Sequence, residues 1–339
     1  MRIVLLILLL NLLPSGSAFA APAGLYTGEV PVQSQQKSDR NRALPLALKQ
    51  VLQKLSGQSN FDDYPLVYPV LDSAASIVVS FYYRNVESIL ADNSVSSQLY
   101  LVARFAEAEV DELLKKLQLP LWPAERRPVE IWVVVDDGTG RRIMPLEYAY
   151  AWESINEIAA ARGQPVSWPE ADEEGIFPVD AQLLWGGYTE DITGDDGAVM
   201  IAAARREGAE WSVRLNLDYG GQNWAWRIHD VDLQQALGNS MHEAVNLIAE
   251  ANTIAAIDQG KWLHELTVTG IGNVDDYRRC LDYLQGLSIV DRVSVTAASR
   301  GMVRFSLELN AMSLYLDETL SSGPVLEFFD TENSWSLRK

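Results

Sequence analysis

The sequence predicts a protein of mixed α+β or α/β class, built from three small mixed modules of which the last is ferredoxin-like. After residue 20, apolar runs typical of strands alternate with runs that have the helical period. Residues 264–330 predict the order β-α-β-β-α-β, which is the ferredoxin-like arrangement. The stretch VEIWVVVDDGTG is almost continuously apolar up to its turn, and this indicates a strand that is covered on both faces.

The first module is predicted to span residues 21–127. It opens with the strand LYTGEVPV, and a helix follows whose leucines and alanines recur at helical spacing as far as Gly57, the expected C-terminal cap. Ser38 can cap the start of this helix. With that cap, however, Pro45 would remove the hydrogen bond to Asn41, so we expect a helix that begins near Asn41 or a kink there.

Arg40 lies at the entrance of that helix, within the polar stretch SDRNR. A guanidinium in this place can pair with a carboxylate or take part in a binding or catalytic site. We expect the structural role, an ion pair with a carboxylate of the same module.

The second module is predicted to span residues 128–258, after the linker PLWPAERRP. Its strands alternate with helices, one of which we expect around residues 198–206. The sequence DYGGQ predicts a hairpin turn at its two glycines. The last helix is expected to begin at Ser240, because Ser240 and Glu243 stand three residues apart, as in a capping box.

The third module is predicted to span residues 259–331, and residues 332–339 are expected to form a loose tail. The junction TGIGNVDDY begins like a dinucleotide-binding loop, but Asp275 occupies the place of the third glycine, and its charge would repel phosphate. Asn273 is instead predicted to cap the helix that follows.

Residues 1–20 have the layout of a secretory signal peptide, with Ala18 and Ala20 in the small-residue positions and cleavage expected between Ala20 and Ala21. The apolar run from Ile3 to Leu13 is shorter than the roughly 20 residues that a membrane-spanning helix needs. We therefore expect a periplasmic protein whose mature form has no transmembrane anchor.

The chain carries a formal net charge of -19, which opposes binding to nucleic acid and to anionic lipid. Its one cysteine, Cys280, cannot form a disulfide within the chain. Because Cys280 lies beside an apolar helical stripe, a packing role is expected rather than a nucleophilic one.

No reaction is indicated by a motif. His242 and His264 are each followed by glutamate, but Asn246 and Val268 stand where a zinc-protease helix needs its second histidine. The sequence GNSMH lacks the final glycine of a nucleophile elbow. We therefore predict no catalytic residue, no metal site and no cofactor.

Tryptophan is abundant, with ten residues, and acidic loops such as DDGTG and EDITGDD accompany it. Sugar rings stack on aromatic side chains, so a glycan site is one interpretation. Trp224 and Trp226 share their predicted strand face with Ile228, which favours a packed core face. The acidic loops are expected to be solvated turns, with a loose calcium site as the alternative.

Several segments together resemble a family. They are LYTGEVPV, Arg40 ahead of ALPLALKQVLQKLSG, VARFAEAEVDELLKKLQLPLW and RRPVEIWVVVDD. The chain resembles the uncharacterised exported bacterial family called domain of unknown function 2066, and the resemblance extends more weakly over nearly all of the predicted mature chain. It implies an exported protein of Gram-negative bacteria with no established reaction. Pro45 departs from the family pattern.

These features predict an uncharacterised exported periplasmic protein that acts by binding, as an accessory or scaffold for an unknown protein of the cell envelope. The alternative is a protein that binds or hydrolyses peptidoglycan or another glycan through tryptophans and acidic loops.

Overall fold

A computed structural model describes residues 24–89, 94–190, 192, 197–329 and 334–338. In these residues the strands form three separate sheets of three, six and five strands, and each sheet packs on its own apolar core. The mixed class with several modules is therefore confirmed. One sheet falls within each predicted module, and the module boundaries stay predictions.

The first module is a three-stranded antiparallel sheet covered by helices, in the order β1-β3-β2. Its elements are β1 (Thr27–Pro31), α1 (Lys37–Ser56), α2 (Val67–Leu71), α3 (Ala74–Ile77), β2 (Val78–Ile89), β3 (Val95–Phe105) and α4 (Glu107–Lys116). The leucines of α1 that recur at helical spacing are buried against β3 and α4. The helical period thus corresponds to the face that meets the core.

Helix α1 begins earlier than predicted, at Lys37 rather than near Asn41. The hydroxyl of Ser34 donates to Asp39 (2.6 Å) and accepts the backbone N–H two residues further on, so polar contacts hold the chain where the helix starts. Pro45 lies inside the helix. The missing N–H of one proline costs a single helical hydrogen bond, and burial of the apolar face of α1 outweighs that loss.

Helix α1 ends at Gly57, which has a left-handed backbone (φ 72°) and donates its N–H to the carbonyl of Gln53 at 2.9 Å. A β-carbon on this residue would stand 2.8 Å from the Cβ of Ala249 and 2.9 Å from a methyl of Thr253. Glycine is therefore required at this position for two reasons, the left-handed backbone conformation and the close approach of the next module.

The second module has a six-stranded mixed sheet, with strand order β5-β4-β7-β8-β9 and a short β6 beside β4. Its elements are β4 (Val129–Asp136), β5 (Arg141–Ile143), a 3-10 turn (Leu146–Tyr148), α5 (Ala149–Arg162), β6 (Val166–Ser167), α6 (Ala181–Gly186), β7 (Ala198–Glu207), β8 (Glu210–Tyr219), β9 (Gln222–Asp230) and α7 (Leu233–Asn252). Alternate residues of β4 enter two different cores, so this strand is covered on both faces.

Two expectations for this sheet had different outcomes. The helix expected around residues 198–206 is wrong, because these residues form β7, which is buried between β4 and β8. The run is rich in alanine, which favours helix, but pairing on both edges overrides that local preference. The hairpin is present, and β8 and β9 are joined by Gly220 and Gly221, both with positive φ.

The capping box predicted at Ser240 and Glu243 is also wrong. Helix α7 begins at Leu233, and the carboxylate of Asp232 accepts the N–H of Gln234 as its cap. Ser240 lies in the middle of the helix, where its buried hydroxyl donates to the carbonyl four residues before it (2.7 Å). A capping pattern within a continuous apolar stripe does not by itself start a helix.

The third module has a five-stranded sheet with strand order β11-β12-β10-β14-β13. Its elements are a leading 3-10 turn (Ala256–Asp258), β10 (Gln259–Ile271), α8 (Val274–Gly286), β11 (Val290–Ser299), β12 (Gly301–Ala311), α9 (Leu314–Ser322), β13 (Leu326–Phe329) and β14 (Ser334–Leu337). Strands β10 and β11 flank the antiparallel β12, so the predicted β-α-β-β-α-β order is present. Asn273 caps α8, as predicted.

The loose tail expected at residues 332–339 is wrong for its described part. Strand β14 lies between β10 and β13, parallel to β10 and antiparallel to β13. Trp335 and Leu337 stand two residues apart on one face and are both buried in the core of the module. Four residues are too few for that alternation to be recognised in the sequence.

Among the helices of the described residues, none has both the length and the hydropathy that crossing a bilayer requires.

Candidate functional site

A cavity of about 1320 Å³ lies where the first and third modules meet, and we call it the intermodule cleft. One side is formed by β1 with the turn before it and by α4. The other side is formed by the segment that leads into β10 and by neighbouring residues of the third sheet. The linker comprises the whole segment between α4 and β4, residues 117–128, and four of its residues between 118 and 124 also line the cleft. Clefts between modules are common places for ligands to bind.

The linker is fixed by backbone pairing to Ile254, a residue that is buried in the core of the third module. Leu121 and Ile254 exchange two hydrogen bonds, of 2.9 and 2.7 Å, and the side chain of Gln259 donates to the carbonyl of Leu119 at 3.0 Å. Gln118 takes a left-handed backbone conformation (φ 54°), which turns the chain out of α4. The linker is therefore an ordered wall of the cleft.

A second set of polar contacts, which we call the polar clamp, joins Ala124 and Glu125 of the linker to Ser288 of the third module. The carboxylate of Glu125 accepts from the backbone N–H of Ser288 (2.8 Å) and from its hydroxyl (2.7 Å). The same hydroxyl accepts the backbone N–H of Ala124 at 3.2 Å. With the pairing of the linker, this clamp sets the separation of the two sides of the cleft.

Tyr26 and Asp111 form the central polar pair of the cleft. The hydroxyl of Tyr26, in the turn just before β1, donates to Oδ1 of Asp111 in α4 at 2.8 Å. Burial raises the pKa of Asp111, although the hydrogen bond from Tyr26 and the charge of Lys115 oppose that shift. Burial also raises the pKa of Tyr26. The cleft therefore holds a half-buried carboxyl group that accepts a proton more readily than an exposed aspartate.

Charges of both signs surround this pair. Arg104 and Glu107 form an exposed ion pair of 2.9 Å, and the cations Lys115 and Lys261 and the carboxylate of Asp291 also line the cleft. Exposed pairs of this kind contribute little to stability, typically about 0–1 kcal/mol, so they can exchange partners at low cost. A ligand with charges of both signs would find complementary groups here.

The cleft also has an apolar rim. Ile257 lines it with 89% of its surface exposed, beside the half-buried Leu121 and Tyr26. Removing an isoleucine side chain from water contributes about 1.5–3 kcal/mol. A partner that covers Ile257 would gain this free energy without any change in the fold.

Beside the cleft, Arg126 joins the first and second modules. Its guanidinium is only 3% exposed and lies over the ring of Trp122, with 3.5 Å between its central carbon and the ring centroid. The two Nη atoms each donate at 2.6 Å, to the carbonyl of Lys54 near the end of α1 and to that of Gly163 at the end of α5. A cation at two helix C-termini satisfies carbonyls that lack helical partners.

Two further buried cations use carbonyl oxygens in the same way. The ammonium of Lys54 donates to the carbonyl of Thr27 at 2.9 Å, and burial lowers its pKa to about 8. Nη2 of Arg162 donates to the carbonyl of Gly57 at 2.8 Å, and burial lowers its pKa to about 10. Together with Arg126 these residues form a buried cation cluster that connects the first two modules.

Arg40, the residue singled out in the sequence, lies outside the cleft. Its guanidinium carbon is 4.7 Å from the centroid of the Phe81 ring. Among the described residues, the expected ion pair of Arg40 with a carboxylate is not found. The first turn of α1 contains one acidic residue, Asp39, and this carboxylate pairs with Arg42. Arg40 therefore connects α1 to the face of β2 through a cation–π contact.

The other residues noted in the sequence do not converge on the cleft. Gly57 and Ser240 are structural residues of α1 and α7, Glu243 is exposed on α7, and Ala20 and Ala21 lie outside the described residues. Cys280 is buried in the core of the third module, where burial raises its pKa to about 12. In the part of the chain that is described, no group of three or more acidic, histidine or cysteine residues is placed to hold a metal ion.

The tryptophans pack mainly into cores. Trp224, Trp226 and Ile228 lie against the core of the second module, as the core interpretation predicted. Trp262 is 46% exposed, and among the tryptophans of the described ranges it is the one with a largely exposed side chain. The tryptophan in the cleft, Trp122, is buried under Arg126. Acidic residues and exposed tryptophans therefore do not meet in this cleft.

Tyr26, Asp111 and Arg126 were missed from the sequence. Tyr26 and Asp111 are 85 residues apart, and each is inconspicuous within its own element. Arg126 was assigned to a linker. The available signal was Trp122, four residues before Arg126. A flexible linker rarely contains large side chains of the kind that become buried.

Comparisons with known proteins correct the family resemblance. The family model that matches is a domain of unknown function (DUF8605), over residues 20–123, so the resemblance to domain of unknown function 2066 is wrong. No curated protein matches the sequence. A solved structure, described as the crystal structure of an uncharacterized protein, is 12% identical, with 37% of this chain and 91% of that chain covered and a TM-score of 0.20. The first module is thus similar to a family of unknown function.

Proposed function

We propose that the protein is an exported periplasmic component of the cell envelope that acts by binding, without catalysis, and that the intermodule cleft receives a segment of another envelope protein. The observation that carries this proposal is the composition of the cleft. Exposed Ile257 lies in the same cavity as the Tyr26–Asp111 pair and charges of both signs. A polypeptide segment with apolar and charged side chains matches all three features.

The ordered walls favour tight binding. Association loses free energy when loops or side chains must become ordered on binding. In the cleft, the linker is held by the Leu121–Ile254 pairing and the third module by the Glu125–Ser288 clamp. The partner can therefore bind to a surface whose backbone is already in place.

Export is supported by the sequence of residues 1–20, in which an apolar run is followed by small residues and the expected cleavage point before Ala21. The acidic chain suits a protein that stays dissolved between two membranes and attracts basic partners.

The test is capture of partners from a solubilised envelope extract on the immobilised chain, with two matched variants. Ile257→Asp places a charge at the rim of the cleft, and Leu146→Asp places the same charge on an equally exposed apolar residue of the second module (89% and 87% exposed). We expect at least one protein that the wild type and Leu146→Asp retain and that Ile257→Asp loses. Identical retention by all three chains would contradict the proposal.

A further inference from the structure

Strand β10 is paired unevenly along its two edges. Its thirteen residues pair with β12 along almost the whole strand, from Gln259 to Ile271. On the opposite edge, β14 pairs with Val268 and Thr269. Within the ranges that the structure describes, residues 262–267 therefore have a strand neighbour on one side. Open strand edges are templates for the addition of another strand.

A second cavity, of about 690 Å³, follows this open edge. It is lined by four consecutive residues of β10, 264–267. Successive side chains of a strand point to opposite faces of the sheet, so a cavity that touches all four extends along the backbone edge and not over one face. Asp317, Glu318 and Ser321 of α9 and the aromatic rings of Phe328 and Trp335 complete the groove.

The groove is acidic and partly aromatic. Carboxylates come from Glu265 on β10 and from Asp317 and Glu318 on α9, while lysine and arginine are absent from the described residues that line it. Phe328 is 48% exposed and meets Trp335 edge to face at 5.4 Å. Carboxylates attract cationic side chains, and an exposed ring face accepts them by cation–π contact.

We propose that the open edge of β10 binds an extended segment of another protein that carries lysine or arginine, and that this segment joins the sheet as an additional strand. Backbone hydrogen bonds to residues 262–267 would supply sequence-independent affinity, and the acidic groove would select for positive charge. The groove and the intermodule cleft are lined by different residues, so one chain could hold two partners at once.

The probe for this surface is a fluorescein-labelled ten-residue peptide of alternating lysine and valine, titrated with the full chain and followed by fluorescence anisotropy. Two matched peptides separate the contributions. The first replaces each lysine by glutamate, and the second keeps the lysines but carries a methyl group on every backbone nitrogen. We expect each to bind at least about tenfold more weakly than the parent peptide, because one loses the charge match and the other loses the strand pairing. Equal binding of the methylated peptide would show that charge alone attracts the probe, and would overturn the proposal.

Charge reversal locates the site. Asp317→Lys should weaken binding of the lysine–valine peptide at least about fivefold, whereas Asp282→Lys, an exposed position on α8 with the same change of charge, should alter it less than about twofold. Equal effects of both variants would overturn the proposal. Self-association that Asp317→Lys abolishes, measured by sedimentation velocity, would also overturn it, since the occupant would then be a second copy. Ile257→Asp should leave peptide binding unchanged, so failure of the cleft proposal and failure of this one are distinguishable.

Discussion

Replacing Gly28 with alanine is expected to lower the free energy of unfolding by about 3 kcal/mol or more. Gly28 lies in β1 where the strand passes directly against the backbone of α1. A β-carbon there would stand 2.2 Å from the carbonyl oxygen of Ala47 and 2.7 Å from its Cα. Both atoms belong to the helix backbone, so the strand and the helix would have to separate, and the core between them would open.

The matched control is Gly286→Ala, in the last turn of α8. A β-carbon at Gly286 would meet nothing within 4 Å. We expect this substitution to change the free energy of unfolding by less than about 1 kcal/mol, since it only reduces the freedom of the unfolded chain. Urea unfolding followed by circular dichroism measures both. A Gly28→Ala protein as stable as Gly286→Ala would show that β1 does not approach α1 this closely.

Replacing Arg126 with alanine is expected to cost about 3 kcal/mol of stability. The guanidinium donates to carbonyls at the ends of α1 and α5 and covers the ring of Trp122. Removing it leaves those buried carbonyls without donors and opens a cavity between the first two modules. Burial lowers the pKa of Arg126 to about 9, which reflects the cost of holding this charge away from water. The lost hydrogen bonds outweigh that cost because the carbonyls remain in place.

Arg278→Ala provides the comparison, because Arg278 is exposed on α8 and its loss is expected to change stability by less than about 0.5 kcal/mol. Arg126→Lys should recover only part of the loss, since one ammonium cannot bridge two helix ends as a planar fork does. Thermal unfolding of the three variants is the measurement. If Arg126→Ala had the same melting temperature as Arg278→Ala, this result would contradict the role given to the buried cation cluster.

Much of the fold followed from local patterns. The leucine spacing of α1, the glycine pair between β8 and β9 and the cap at Asn273 are features of short segments, and each is found where the sequence predicted it. Such features depend on the backbone conformation of a few residues, so their physical cause is contained in the segment itself.

The expectations that failed depended on distant partners. A helix was expected around residues 198–206, but pairing with β4 and β8 makes this segment a strand. The strand at residues 334–337 exists because it enters a gap between β10 and β13. Each of these strands has one parallel neighbour that is far away in sequence, β4 for the first and β10 for the second, and local propensity is a weak guide where tertiary pairing decides.

The candidate site was the least predictable part. Tyr26 and Asp111 belong to different elements, and Ile257 comes from the opposite side of the cleft. No spacing connects them, and each has an ordinary local role: Tyr26 belongs to the turn before β1, Asp111 to a helix and Ile257 to a 3-10 turn. Arg126 shows the same principle, because its carbonyl partners at Lys54 and Gly163 lie 72 and 37 residues away.

The central claim is that the intermodule cleft binds another envelope protein, and a photo-reactive amino acid placed at position 257 tests it most directly. In cells that make the protein, illumination should yield an adduct with one defined envelope protein. The same probe at position 146, an equally exposed apolar site of the second module, should not give this adduct. An adduct from both positions, or from neither, would contradict the assignment of the cleft as the binding site.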